Sequence, residues 1–171
     1  GLHLNARGHL AVDANFQTQV EHIYAAGDVI GPPALASTSM EQGRQAACAA
    51  FGLGSGRTCG LIPTGIYAIP ELSAIGLNEQ QARETHNNII VATANFEEIA
   101  RGQISGIEDG LLKLICNHDC QRILGVQIIG EGATELIHIG QMAMLAQFSV
   151  QELVETTFNF PTLAEAYRVA A

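Results

Sequence analysis

The sequence is short of positive charge. Lysine and arginine number 8 against 17 aspartates and glutamates, a formal net charge of −9, and Lys113 is the one lysine. A surface this acidic repels phosphate backbones, which argues against nucleic acid as a partner. Charged residues of both signs reach only 15%, whereas 47% of the chain is hydrophobic. That composition can bury a core and argues against wholesale disorder. No apolar run approaches the roughly 18 residues that a membrane-crossing helix needs, and no basic, signal-like segment opens the chain. A soluble, cytoplasmic protein without a membrane partner is expected. Cysteine is scarce. Cys48, Cys59, Cys116 and Cys120 include no Cys-x-x-Cys pair, so the expectation is reduced thiols and no disulfide scaffold. Cys116-x-His118-x-Cys120 offers three ligands where a structural zinc takes four, so no metal is expected. Tryptophan is absent and glycine is plentiful at 18. The 171 residues suffice for one domain, or for one domain and part of another. The chain opens on Gly1 and closes on Val169-Ala170-Ala171 inside a helical pattern. A fragment or isolated domain of a longer protein is therefore expected.

Periodicity supplies the elements. Ile23-Tyr24-Ala25-Ala26 reads as a short buried strand that stops at Gly27-Asp28. Pro32-Pro33 then forbids regular structure. A helix is expected from about Ser37 to Phe51, started by a Thr38-Ser39-Met40-Glu41 capping box and stopped by Gly52. Gly43 inside it is either a point of close packing or a tolerated glycine. Gly52-Leu53-Gly54-Ser55-Gly56-Arg57 follows a helix rather than a strand, so it reads as a linker and not a nucleotide fingerprint. It divides residues 1–58 from residues 59–171. In the second part, strands are expected at 65–69, 72–76 and 88–94, with an antiparallel pair at 111–116 and 123–129. Asn78 is placed to cap a helix at 79–85. The longest helix is expected at 132–148, with Ala133, Leu136, Ile137, Gly140, Ala143 and Met144 on one stripe. Gly140 and Ala143 there allow close approach of another element. Short helices are expected at 150–155 and 162–170, the latter opened by Pro161.

Few residues carry chemistry. Asp28 stands at the carboxyl end of the expected strand, ahead of a loop and a helix, where α/β folds bind ligands. There it could accept hydrogen bonds from sugar-like hydroxyls, beside a helix end that favours an anion or a reduced, negatively charged ring. It equally fits a turn aspartate bonding its own backbone. His138 reads as a surface or interface histidine. Glu165 falls in a first helical turn, where a carboxylate also simply complements the dipole. No Ser/His/Asp arrangement and no paired-carboxylate site stands out. Composition and spacing alone thus lead to an α/β chain with one ligand-binding strand end.

Three blocks resemble the pyridine nucleotide–disulfide oxidoreductase family. Gln17-Thr18 with Ile23-Tyr24-Ala25-Ala26-Gly27-Asp28-Val29 is similar to its second flavin-binding motif. Ile62-Pro63-Thr64-Gly65-Ile66-Tyr67 with Pro70-Glu71 is similar to the start of its dimerisation domain. Phe160-Pro161-Thr162-Leu163-Ala164-Glu165 stands where the family has His-Pro-Thr-x-x-Glu. The resemblance implies the C-terminal end of an FAD-binding, Rossmann-like domain followed by a dimerisation domain of antiparallel sheet plus helices. It implies that Asp28 binds the ribityl chain of FAD and that the backbone at Leu35 and Ala36 faces the flavin ring. It also implies a homodimer. In disulfide reductases of the family a His–Glu dyad serves the partner subunit's active site. Here Glu165 matches the Glu, but Phe160 replaces the His and cannot titrate. Thiol–disulfide exchange needs an acid/base, whereas hydride transfer between nicotinamide and flavin does not. The 135–141 and 157–171 blocks are most similar to the branch that passes hydride from NADPH through FAD to NAD+. Alternatives are a dihydrolipoamide dehydrogenase-like reductase with a lost dyad, or a non-enzymatic dimerisation module. The NAD(P)-binding domain, the first glycine fingerprint and a redox cysteine pair are absent from these 171 residues, so the chain alone is expected to be inactive.

Overall fold

A computed structural model describes residues 1–54, 60–107 and 109–171. The chain divides into two units, Gly1–Gly60 and Leu61–Ala171. The sequence boundary expected at residue 58 lies outside the described residues.

In the first unit the expected strand at 23–26 does not form. Tyr24 makes one isolated antiparallel bridge, to Gln17, supported by Ala25 N–H to Phe16 C=O (2.9 Å) and Thr18 N–H to Ile23 C=O (2.9 Å). Pairing on one side over so few residues leaves the run half-buried and without a ladder. A 3-10 turn, Gly27–Ile30, follows. It is closed by Gly31 N–H on the Asp28 carbonyl at 3.0 Å. Helix α1 spans Ala36–Ala50 and, with 15 residues, is the longest among the described residues. The expected capping box is also absent. The helix begins at Ala36, one residue before the expected Ser37, after an extended Leu35 (φ −128°, ψ 141°) that offers no side-chain cap. Thr38 and Ser39 are already inside it, and their hydroxyls turn back onto the Leu35 carbonyl at 2.8 and 2.9 Å. Glu41 instead reaches down the helix to Arg44 and Gln45. These charge-assisted bonds hold its carboxyl down at about 2. Nothing comes within 4 Å of a Cβ built on Gly43, which favours the tolerated glycine.

The second unit is a five-stranded antiparallel sheet with helices. Its strands are β1 (Thr64–Ile66), β2 (Leu72–Gly76), β3 (Ile89–Asn95), β4 (Leu111–Asn117) and β5 (Ile123–Ile129), in the order β1-β2-β5-β4-β3. Period-two alternation sends Ile75, Ala94, Leu112, Leu114, Val126 and Ile128 to one buried face. In register, Leu112 stands opposite Ile128, and Leu114 opposite Val126. Helix α2 (Glu79–Thr85) starts at the expected Asn78, whose Oδ1 accepts from Gln81 N–H while Gln81 Oε1 accepts from Asn78 N–H. Helix α3 (Ala100–Ser105) was not anticipated. Helix α4 (Ala133–Leu145) is 13 residues long, shorter than α1. Its Ala133, Ile137, Gly140 and Ala143 are buried. A Cβ on Gly140 would stand 2.8 Å from Val126 Cγ2 and 2.9 Å from Tyr167 Oη, so β5 and Tyr167 make the close approach expected there. Helix α5 (Val150–Glu155) carries a Ser149/Glu152 capping box. A 3-10 turn, Leu163–Glu165, leads into α6 (Ala166–Ala170). Pro161 does not open this segment. It precedes the cap Thr162, whose extended backbone (φ −140°) and hydroxyl bond to the Asn159 carbonyl (2.7 Å) delay the first turn.

Tyr167 ties α6 to α4. Its fully buried phenol donates to the Leu136 carbonyl (2.8 Å) and accepts from the Gly140 amide (3.0 Å), groups one helical turn apart. Burial pushes the phenol above its usual range. Tyr167→Phe should lower stability by about 1–3 kcal/mol, because the backbone groups lose a buried partner. Thermal unfolding followed by circular dichroism tests this; an unchanged midpoint would mean that the hydroxyl is dispensable.

Candidate functional site

The first candidate cluster lies where the 3-10 turn meets α1. Gly27 has φ +81°, and a Cβ there would stand 3.1 Å from Ser39 Oγ. Its amide donates to Gln42 Oε1 at 2.8 Å. Backbone and helix are thereby locked together, and the next side chain, Asp28, projects exposed. Asp13 shows what a turn aspartate does in this chain, since its Oδ1 accepts from the Asn15 and Gln17 amides at 2.8 and 2.9 Å. Asp28 differs. Its carbonyl closes the turn, while its carboxylate accepts no hydrogen bond and forms no ion pair among the described residues. The carboxylate is exposed and does not make the backbone bonds that Asp13 makes.

Leu35 and Ala36 stand at the start of α1. The first helical rung runs from Ser39 N–H to Leu35 C=O (2.9 Å). The amides ahead of it have no intrahelical acceptor. No acidic residue occupies the first turn, so the positive end of the helix dipole is uncompensated from within α1. An exposed carboxylate can accept hydrogen bonds from hydroxyls, and a bare helix N-terminus favours negative charge.

The second cluster lies in the other unit. Phe160 is 67% exposed. Glu165 closes the Leu163–Glu165 turn, and its Oε2 is buried without a hydrogen-bond partner among the described residues. Arg101 Nε donates to the Pro161 carbonyl (3.1 Å), which fixes the backbone between them. His138 is exposed on α4, with Nδ1 2.9 Å from Gln141 Oε1. It borders an apolar groove of about 780 Å³ that includes Met142, Leu145, Phe148 and Phe158.

One important residue had no visible role in the sequence. Helix α4 starts at Gly132, which offers no side-chain cap. Glu71 supplies one from 63 residues away, accepting from Thr134 Oγ1 (2.6 Å) and Thr134 N–H (3.1 Å). Those bonds draw its carboxyl below the ordinary range. Glu71 lies in the segment similar to the start of the family's dimerisation domain, yet nothing local pointed to Thr134.

Comparison with known proteins adds the following. Residues 62–171 match the model of the pyridine nucleotide-disulphide oxidoreductase dimerisation domain, and residues 1–43 match that of pyridine nucleotide-disulphide oxidoreductase. A soluble pyridine nucleotide transhydrogenase of Mycobacterium bovis is 50% identical over 171 residues, which is all of this chain and 36% of the relative. The Pseudomonas fluorescens protein of the same name is 47% identical over 174 aligned residues, covering 100% of this chain and 38% of the relative. The chain thus spans little more than a third of the curated relatives it matches. Among solved structures, the Cu(II) complex of the HOCl-induced flavoprotein disulfide reductase RclA from Escherichia coli aligns with TM-score 0.89 at 29% identity, covering 99% of this chain and 39% of that one. LpdA from Mycobacterium tuberculosis aligns with TM-score 0.85 at 27% identity, covering 99% and 37%.

Proposed function

The chain belongs to the pyridine nucleotide-disulphide oxidoreductase family, and from that premise we propose that it is the C-terminal part of an FAD-dependent enzyme that transfers hydride between NADPH and NAD+. In this reading residues 62–171 dimerise and the Asp28 turn lines part of the FAD site. Bound FAD supplies the hydride chemistry, and the protein supplies position and electrostatics. The exposed, unpaired Asp28 carboxylate fits a polyol such as a ribityl chain. The open N-terminus of α1 at Leu35 and Ala36 fits an electron-rich ring edge. Glu165 is kept as a shielding or positioning group, with no proton transfer assigned to it.

Phe160 is the observation that carries the choice of reaction. A benzene ring can neither take nor deliver the proton that thiol–disulfide exchange requires. Hydride transfer makes no such demand, and relatives named soluble pyridine nucleotide transhydrogenase are 46–50% identical over 99–100% of this chain. The longer protein containing this chain should therefore carry out NADPH-dependent reduction of an NAD+ analogue. Phe160→His should leave that rate within about twofold, since the residue would hold no proton in flight. Light scattering of the same preparation should give at least twice the monomer mass. Disulfide reduction by the wild type, or its appearance in Phe160→His, would favour the dihydrolipoamide dehydrogenase-like reading. A clean monomer would overturn the dimer.

A further inference from the structure

Cys116 and Cys120 have no place in the reading above, yet their sulfurs lie 3.7 Å apart. Cys116 ends the buried part of β4 and belongs to the hydrophobic core. The β4–β5 ladder shifts register at Ile115/Cys116. Cys120 lies in the connecting turn, half-buried against the same core. It holds φ +56°, a left-handed conformation that is unfavourable for a residue bearing a side chain. The turn is well tied. Cys120 N–H donates to the Asn117 carbonyl (3.0 Å), Asn117 N–H to the Arg122 carbonyl (3.1 Å), and Arg122 N–H to Asn117 Oδ1 (2.9 Å). The Cys120 carbonyl accepts from Val150 N–H at 3.0 Å, where α5 begins. Two thiols are thus held in contact by the backbone around them, one inside the core and one nearer solvent.

We propose that Cys116 and Cys120 form a redox-sensitive dithiol that a hydroperoxide converts to an intramolecular disulfide. The sulfurs need to close from 3.7 Å to about 2.05 Å, a movement within reach of side-chain rotation. Cys120, the more exposed, is the attacking group. Its thiolate takes the outer peroxide oxygen, the O–O bond breaks, and the remaining alkoxide or hydroxide leaves and picks up a proton. Cys120 is then a sulfenic acid. The Cys116 sulfur attacks the Cys120 sulfur, the S–O bond breaks, and hydroxide leaves as water with the Cys116 proton. In total two thiols lose two electrons and two hydrogens, and the hydroperoxide becomes one alcohol or water plus one water. Burial pushes the Cys116 thiol up to about 12, which disfavours it as the sulfur that meets the peroxide first. The disulfide would close within the turn that seats α5 through Val150.

The test has a direct readout. Trypsin cuts after Lys113 and Arg122, so one peptide, residues 114–122, carries both sulfurs. The reduced, purified chain is treated with stoichiometric hydrogen peroxide, blocked with N-ethylmaleimide and digested. Peptide 114–122 should be lighter by two hydrogens, free of maleimide, and returned to two maleimide adducts by dithiothreitol. In Cys116→Ser, Cys120 should instead be trapped by dimedone as its sulfenic acid. Recovery of peptide 114–122 with both thiols alkylated after oxidation would overturn the proposal. So would cross-linking of these cysteines between chains. The wild-type measurement stands whether or not the variant folds, and it is independent of the hydride-transfer reading.

Discussion

Phe96→Ala lowers the stability of the Leu61–Ala171 unit by about 3–5 kcal/mol, the range for deleting a buried aromatic ring. The upper end is expected here because of what surrounds the ring. Phe96 is fully buried at the end of β3, and its amide donates to the Gly110 carbonyl at 2.9 Å. A Cβ on Gly110 would stand 2.2 Å from Phe96 Cδ2, and one on Gly130 2.8 Å from Cε2. A Cβ on Gly102 would stand 2.0 Å from the Phe96 carbonyl oxygen. Main chain at Gly110 and Gly130 therefore packs directly against the ring. Side chains can rotate into a vacated space, whereas sheet backbone held in register cannot, so the cavity persists at its full cost. Against the 5–15 kcal/mol typical of whole domains, this loss should shift the thermal midpoint of the Leu61–Ala171 unit by roughly 13–21 °C. Urea and thermal unfolding followed by circular dichroism test it. A loss below about 1 kcal/mol would mean that the socket collapses after all. Phe96→Leu, which keeps most of the volume, should lose much less.

Asp28→Ala should weaken FAD binding by the longer flavoprotein about 10- to 150-fold. That is the equivalent of roughly 1.5–3 kcal/mol for hydrogen bonds to a charged group. Folding stability should be unaffected, because the carboxylate makes no hydrogen bond or ion pair among the described residues. Asp13→Ala should do the opposite. It removes the acceptor of two turn amides and should lower the urea midpoint while leaving the flavin-to-protein ratio intact. Flavin absorbance after gel filtration and a binding titration of the apoprotein separate the two. Unchanged flavin affinity in Asp28→Ala would remove Asp28 from the proposed site.

The pattern of what was legible follows the distance over which each feature is decided. The β4–β5 pair came from two apolar runs flanking a polar turn. The Asn78 cap came from a side chain answering amides within its own turn, and the buried stripe of α4 from helical spacing. Each is settled by residues a few positions apart, whereas the antiparallel-sheet-plus-helices architecture came from the resemblance to the family's dimerisation domain. The first unit was read less well for the same reason. Thr38, Ser39 and Glu41 matched a capping box, but the helix could begin at Leu35, and the hydroxyls then found the Leu35 carbonyl instead. The run at 23–26 had strand composition, yet a strand exists only with partners, and Gln17 alone supplies a bridge.

The amino-acid order by itself therefore determined the β4–β5 hairpin, the caps at Asn78 and the apolar face of α4. Only the tertiary structure decided that Asp13 bonds its own turn while Asp28 has no side-chain partner among the described residues, and that Glu71 caps a helix 63 residues downstream. The tertiary structure alone also showed that Tyr167 bridges one turn of α4, that Gly110 and Gly130 lie against the Phe96 ring, and that Cys116 meets Cys120. Local hydrogen bonds are selected by side chains adjacent in the chain. Contacts across tens of residues exist only after the sheet's register and the helix packing have brought the backbone together.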